Sequence, residues 1–397
     1  MKRVLILGID GYIGYSLALY LLKQDYEVTG LDNFSRRALV SDVEGFSLTP
    51  ILPISVREHY LRSFPNFIDS VFGVNLDDHY TLDSLLKLIK PDVIVHLAEQ
   101  PSAPYSMKDV RASMDTQYRN VLGTLSLLWA MKKNCPKVHL IKLGTMGEYG
   151  TPNCDIPEGE IPNQCLEDRW DEMGAIVNHP CPMAGLPFPK SPNSFYHLSK
   201  VHDTNNIIFA CKNWGLTSTD IMQGVVFGTK TDYSNNDEQE LTRFDYDEYF
   251  GTAINRFCVQ AIIEHPLTVY GKGSQTRGFL PLKDSIQCLQ IAIENPPKAG
   301  EYRVLNQFEN IYSINNLADM ICAEASDYGL HVGIAHIPNP RKELEHHYYN
   351  PTHEKLFSLG YNPTIEIREE INLLIQSILP YKDRVIEEVI MPKTNWR

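Results

Sequence analysis

The sequence predicts an α/β fold: a doubly wound, Rossmann-type parallel sheet with a smaller C-terminal substrate-binding domain. Three observations predict it. A glycine-rich turn, GIDGYIG from Gly8 to Gly14, follows an apolar run. Strand and helix patterns alternate through residue 230. Tyr196 and Lys200 stand four residues apart in a helical stretch.

Residues 3–8 (R-V-L-I-L-G) are a short apolar run ending in glycine, the pattern of a parallel strand buried on both faces. Residues 12–23 place Ile13, Leu17 and Leu21 on one helical face. Residues 27–32 form a second strand ending in Asp32, and 71–74 a short third. A helix at 81–89, a strand at 92–98, a helix at 116–133 and a strand at 138–143 continue the alternation. Residues 150–193 break it. They are rich in Pro, Asn and Gly and predict an irregular excursion over the surface. A helix at 196–213 and a strand at 217–227 restore the rhythm, and the polar, acidic stretch 231–247 reads as an exposed loop. Beyond 248 the regularity is lost. The first domain is therefore placed at 1–230, with the excursion inside it. The second is placed at 231–397, with some segments returning to the first.

The chain has 397 residues, of which 43% are hydrophobic, enough for one large domain or two unequal ones. A formal net charge of −13 argues against a nucleic-acid binder and requires local cations around any anionic substrate. The cysteines are Cys135, Cys154, Cys165, Cys181, Cys211, Cys258, Cys288 and Cys322, with no C-x-x-C pair. This predicts free thiols in a reducing cytoplasm rather than disulfides or a zinc site. The chain opens on a strand, which predicts no leader peptide, and no apolar run is long enough to cross a membrane. His346 and His347 lack a metal-site partner pattern, so no metal is expected.

Gly8, Gly11 and Gly14 follow a strand and open a helix, where backbone can approach a pyrophosphate. Asp32 ends the second strand, where a carboxylate binds ribose hydroxyls and repels a 2′-phosphate, favouring NAD over NADP. Arg36 and Arg37 nearby are potential phosphate partners and keep NADP as the alternative. Tyr196 and Lys200 share a helix face one turn apart, and a lysine cation there is expected to lower the phenol pKa. Thr145, past strand 138–143, opens onto the crevice where ligands bind in such sheets, although a lone threonine there is otherwise a turn residue. Glu148 is a candidate second base beside it. His197 is as readily a structural histidine as a site residue. Arg277, in a Gly-rich turn, can pair with a diphosphate through its planar fork, or lie solvated on a hairpin.

A set of longer stretches extends these motifs: DGYIG from Asp10 to Gly14, EQPSAPYSM from Glu99 to Met107, KLGTMGEYGTP from Lys142 to Pro152, and SFYHLSKVHD from Ser194 to Asp203. QGVVFG from Gln223 to Gly228, FGTAINRFCVQ from Phe250 to Gln260, and HHYYN from His346 to Asn350 continue it. Through them the chain, over nearly its whole length, resembles the extended short-chain dehydrogenase family of nucleotide-sugar enzymes, and within it the sulfite-adding members. The resemblance implies that UDP-glucose and sulfite are the substrates. Thr145, Tyr196 and Lys200 would oxidise C4 with bound NAD. Glu148 would take the C5 proton, the C6 hydroxyl would leave, and sulfite would add at C6 before hydride returns.

The resemblance also implies cofactor contacts for Gly8, Gly11, Tyr12, Ile13 and Gly14, for Asp32, Asn33 and Arg36, and for Asn75, Leu76, Ala98, Tyr196, Lys200 and Val226. It implies substrate contacts for Gln100, Ser102, Tyr105, Thr145, Tyr196 and Gln223, for Thr252, Asn255 and Arg256, and for Val269, Gln275, Arg277 and Tyr348. A homodimer or higher homo-oligomer is expected, with sulfite arriving free or from a donor protein. Two features depart from the pattern. Position 101 is Pro where photosynthetic members have Arg, and the 150–193 excursion is longer. A 4-epimerase or a 4,6-dehydratase shares the first half-reaction. The dehydratase carries an acidic pair directly after the threonine, whereas Met146 and Gly147 stand there here. A non-enzymatic RNA-binding relative should be basic and lack the Tyr–Lys pair.

Overall fold

The computed structural model describes residues 1–163, 166–170, 176–232, 237–341, 348–393 and 396. Cys165, His346 and His347 lie outside the described residues.

Five strands come first: β1 (Arg3–Leu7), β2 (Glu27–Asp32), β3 (Phe67–Phe72), β4 (Val93–His96) and β5 (His139–Thr145). A hairpin of β6 (Leu166–Trp170) and β7 (Ile176–Pro180) lies inside the excursion, followed by β8 (Thr217–Gln223) and β9 (Val225–Phe227). The later strands are β10 (Leu267–Tyr270), β11 (Thr276–Pro281), β12 (Tyr302–Gln307), β13 (Asn310–Ser313) and β14 (Ile334–Ile337). A seven-stranded sheet runs in the order β12-β8-β5-β4-β1-β2-β3, and every pairing in it is parallel.

Strand order reverses between β1 and β4, which opens a crevice at their C-terminal ends, the place where ligands enter open α/β sheets. The sheet is buried because both faces are covered. Val4, Ile6 and Val95 pack with Leu17, Leu21, Ile286 and Leu289 on one side. Leu5, Leu7 and Ile94 pack with Leu82, Leu127 and Ile207 on the other. A separate core forms around Ile254, Phe257, Leu317, Ile321, Ile371 and Ile375. A three-stranded sheet, β13-β11-β9, lies beside the substrate end.

Several sequence expectations shift. The third strand lies at Phe67–Phe72, not 71–74. It is the sheet edge, so burial gives it no continuous apolar run to read. The helix expected at 116–133 is three pieces, Val110–Gln117, a wide turn Tyr118–Leu122, and Gly123–Asn134. The strand 217–227 breaks at Gly224, where a Cβ would fall 2.7 Å from the Gly278 carbonyl oxygen. The stretch 231–247 is not all exposed loop. Phe244 and Tyr246 enter the second core, and Asp245 is buried between Arg36 and Arg243.

The excursion is docked as well as irregular. Ile156 bridges to Pro351, and Ile156 and Phe188 pack with Met146, Tyr149 and Phe308. β12, far along the chain, completes the first sheet by pairing with β8. Cys258 and Cys288 are fully buried free thiols, pushed well up by burial. Among the described residues, no helix is long and apolar enough to cross a membrane.

Candidate active site

A cavity of about 620 Å³ extends from Asp32 and Asn33, past Tyr196 and Lys200, to Arg256 and Arg277. At its first end the turn after β1 is built for close approach. Gly8 has φ +89°, and a Cβ on Gly14 would stand 2.0 Å from the Gly8 carbonyl oxygen. Only glycine fits there, which leaves the turn and the N-terminus of helix Tyr12–Leu22 open to an anion. Asp32 accepts from Asp10 N–H at 2.8 Å and Phe34 N–H at 2.7 Å, and burial pushes its carboxyl up to about 6. The two nearby arginines are already occupied. Arg36 donates to Asp245 at 2.6 Å and Arg37 to Asp10 at 2.6 Å and 2.8 Å. Glycine cradle, acidic strand end and paired arginines together fit NAD better than NADP.

The helix Phe195–Trp214 carries Tyr196 and Lys200. The Ser194 hydroxyl caps it by accepting from His197 N–H at 3.1 Å, a bond that stabilises a helix start by about 1 kcal/mol. Tyr196 N–H donates to the Ser106 hydroxyl at 3.0 Å, which fixes where the helix enters. The phenol comes near the Thr145 side chain at the end of β5, close enough for the threonine to act on it. Lys200 donates to the Leu143 carbonyl at 2.7 Å and ion-pairs with Glu99. The expected lowering of the phenol by Lys200 is overturned. Burial raises it and the Glu148 charge adds to the rise, while Lys142 and Thr145 pull it down less strongly. The lysine charge is directed at Glu99 instead.

Glu148 is also corrected. It is fully buried and does not line the cavity. Its carboxylate accepts from Thr145 N–H at 3.3 Å, which closes a capping box on the turn that presents the threonine hydroxyl. It also accepts from Thr204 at 3.1 Å and ion-pairs with Lys142 and Lys190. Burial alone would raise it; Lys142 and Lys190 reverse that and hold it below the usual carboxylate range. Behind the cavity, burial pushes Asp203 up to about 7 against the pull of Lys142 and Lys200.

His197 is the neighbour the sequence left undecided. Its Nδ1 lies 2.9 Å from the Ser194 hydroxyl and 2.7 Å from Asn193 Oδ1. Its Nε2 lies over Gly147, where a Cβ would fall 2.3 Å away. The imidazole thus occupies the space a side chain at 147 would need. It lines the cavity, and burial with the charges of Arg277 and Arg341 lowers it to about 3, so it stays neutral.

At the far end, Arg256 is buried, bonded to the Tyr270 hydroxyl and stacked 4.2 Å from that ring. Gln275 donates to the Tyr270 carbonyl at 3.2 Å, and Thr252 caps helix Ala253–Ile262. Gln223 is fixed by Ser285 and Gln307, each at 2.7 Å. The other expected residues on the cavity wall are Tyr12, Ile13, Asn75, Leu76, Ala98, Gln100, Ser102, Val226 and Arg277.

Four expected substrate residues are not on that wall. Val269 is wholly in the second core. Asn255 turns to the Asp245 carbonyl. Tyr105 stacks on Phe250 and lines a smaller neighbouring pocket. Tyr348 is exposed and bonded to Asp155, while Tyr349 takes the cavity side. Glu99, Arg341 and Trp396 line the cavity and were missed. Glu99 was detectable as an acid directly after strand 92–98. Arg341 and Trp396 carry no local pattern.

The sequence pattern of the NAD dependent epimerase/dehydratase family matches residues 4–169. A chloroplastic UDP-sulfoquinovose synthase of Spinacia oleracea is 45% identical over 396 residues, covering 100% of this chain and 79% of the relative. The UDP-sulfoquinovose synthase of Sulfolobus acidocaldarius is 44% identical over 100% of this chain and 98% of its own length. Among solved structures, the UDP-glucuronic acid 4-epimerase of Bacillus cereus, in complex with UDP-glucuronic acid and NAD, aligns with TM-score 0.67 and 21% identity. That alignment covers 95% of this chain and 99% of the epimerase. At that identity the likeness speaks for the fold.

Proposed function

The chain belongs to the UDP-sulfoquinovose synthase family, and on that footing we propose that it converts UDP-glucose and sulfite to UDP-sulfoquinovose and water. One juxtaposition carries the reading: Thr145, Tyr196 and the His197 imidazole over Gly147 line one cavity that continues to Arg256 and Arg277.

Thr145 and Tyr196 hold the C4 hydroxyl, and the phenol oxygen takes its proton. Lys200, anchored by Glu99 and Leu143, supports the ribose end of the cofactor. NAD, when bound, would supply the hydride acceptor for C4. The 4-keto sugar has an acidic C5–H. With the diphosphate offsetting the charges of Arg277 and Arg341 that depress it alongside burial, His197, facing the sugar, accepts that proton and delivers it to the departing C6 hydroxyl, which leaves as water. Sulfite forms the C6–S bond, C5 regains a proton, and Tyr196 returns its proton to O4 as C4 is reduced. Glu148 acts in this scheme by holding the Thr145 turn.

A 4-epimerase reading gives His197 no task. The dehydratase reading wants an acid where Gly147 and the imidazole stand. Arg256 and Arg277 serve the diphosphate. A second copy of the chain is proposed to cover the apolar side chains that helices Val110–Gln117, Gly123–Asn134 and Phe195–Trp214 leave exposed, among them Val110, Met114, Trp129 and Phe209. The deciding experiment is incubation of the purified protein with UDP-glucose and sulfite, followed by mass analysis. A nucleotide sugar heavier by the elements of SO₂ is expected. UDP-galactose as the product would sink the reading.

A further inference from the structure

We propose that Trp396 is a substrate-positioning residue: its indole, set against Arg341, lines the sugar-nucleotide end of the cavity. The inference rests on the nucleotide-sugar reading above and deepens it.

Described residues near the C-terminus are tied to the fold at several points. Ile386 N–H donates to the Tyr246 hydroxyl at 2.9 Å. Glu248 N–H donates to the Val389 carbonyl at 2.8 Å. Val389 and Ile390 are buried in the second core, and Lys393 reaches Glu44 at 3.9 Å. These residues thus run beside 246–248, and Glu248 lines the cavity. Trp396 N–H donates to the Pro340 carbonyl at 3.0 Å. The guanidinium carbon of Arg341 stands 5.2 Å from the Trp396 ring centroid. Both side chains line the cavity.

The choice of partner has a consequence. A carboxylate would hold an arginine and cancel its charge. An aromatic face holds it and leaves the charge available. The Arg341 charge is felt at both His197 and Arg256, so the indole fixes a cation between the sugar chemistry and the diphosphate end. Fixing it before binding removes an ordering cost from association. A preset cation there suits a reaction whose second substrate arrives late. Once C6–OH has left as water, the unsaturated sugar nucleotide must stay bound until sulfite forms the C6–S bond.

The test uses full-length protein and the variants Trp396→Ala and Trp396→Phe. UDP is titrated by calorimetry, and KM and kcat are measured with UDP-glucose and sulfite. Trp396→Ala should weaken UDP binding roughly 5–20-fold, the scale of a desolvated cation–π contact. KM for UDP-glucose should rise by a similar factor while kcat stays within about twofold, and Trp396→Phe should restore most of the loss. With sulfite omitted, the Ala variant should release more unsaturated nucleotide sugar into solution than wild type. Wild-type UDP affinity in the Ala variant overturns the proposal. So does an equal fall of kcat and melting temperature in both variants, which marks a purely structural role. If wild-type protein binds no UDP, the nucleotide-sugar reading itself falls and the proposal with it.

Discussion

Lys190 latches the returning end of the excursion onto Glu148. Its ammonium ion-pairs with Oε2, and the next residue, Ser191, donates its N–H to the Glu148 carbonyl at 3.1 Å. The carboxylate so held is the one that caps Thr145 N–H. The long insertion and Thr145 therefore share one buried anchor, and a change far along the loop reaches the Thr145 turn through it.

Lys190→Met should consequently destabilise the protein by on the order of 3 kcal/mol, because it leaves a fully buried carboxylate short of a partner. Denaturant unfolding measures this. Lys190→Met with wild-type stability would mean the pair is not formed in solution.

Tyr196→Phe removes the group that exchanges a proton with O4. It should lower turnover by roughly 10²–10⁴, the usual scale for a general base. Lys200→Ala should be comparably slow, and it also strands Glu99 without its ammonium. Retained UDP binding in both variants separates lost chemistry from lost folding. Near-normal turnover of the Phe variant would remove Tyr196 from the reaction.

Two residues compete for the C5 proton, and heavy water distinguishes them. Wild type with UDP-glucose should exchange deuterium into C5 or eliminate the C6 hydroxyl. His197→Asn should still form transient NADH but lose exchange and sulfonate formation. Glu148→Gln should slow both half-reactions together, because it loosens the Thr145 turn. If Glu148→Gln abolishes C5 exchange alone while His197→Asn retains it, the carboxylate is the base.

His96 and His139 are buried and held at about 3, by burial first, with Lys200 and Lys142 adding at His96 and Arg303 and Lys2 at His139. Unfolded, each titrates near 6.5. Between those values the unfolded state binds more protons, so stability falls as pH drops below about 6.5 and is flat with respect to these groups above it. Each contributes a slope of up to about 1.4 kcal/mol per pH unit. Asp32 and Asp203, raised to about 6 and about 7, tilt the total the opposite way, so the histidine term is read by difference. The wild-type minus His139→Gln difference in unfolding free energy should shrink as pH drops from about 6.5 to about 4. An unchanged difference would mean His139 is solvated.

The exposed apolar face predicts a dimer in solution. Trp129→Glu with Met114→Glu should shift light-scattering mass to that of one chain while leaving the fold intact by circular dichroism. A monomeric wild type at micromolar concentration would refute a second copy as the occupant.

The sequence by itself determined what local pattern can encode. The apolar runs of β1, β2, β4 and β5 are legible because a parallel strand is buried on both faces. Gly8 and Gly14 are legible because only glycine tolerates their backbone and close contacts. Tyr196 and Lys200 are legible because a helix puts i and i+4 on one face. Edge strand Phe67–Phe72, half exposed, lost that signal. The tertiary structure decided which charges meet. Glu148 reads like an open base beside Thr145, but Lys142 from β5 and Lys190 from the excursion enclose it. Lys200 reads like the phenol's activator, but Glu99 after β4 takes its charge. Arg341 and Trp396 enter the site from segments remote in sequence from the catalytic helix. Ion pairs and ring contacts of this kind depend on through-space distance between elements, and no periodicity along the chain records that distance.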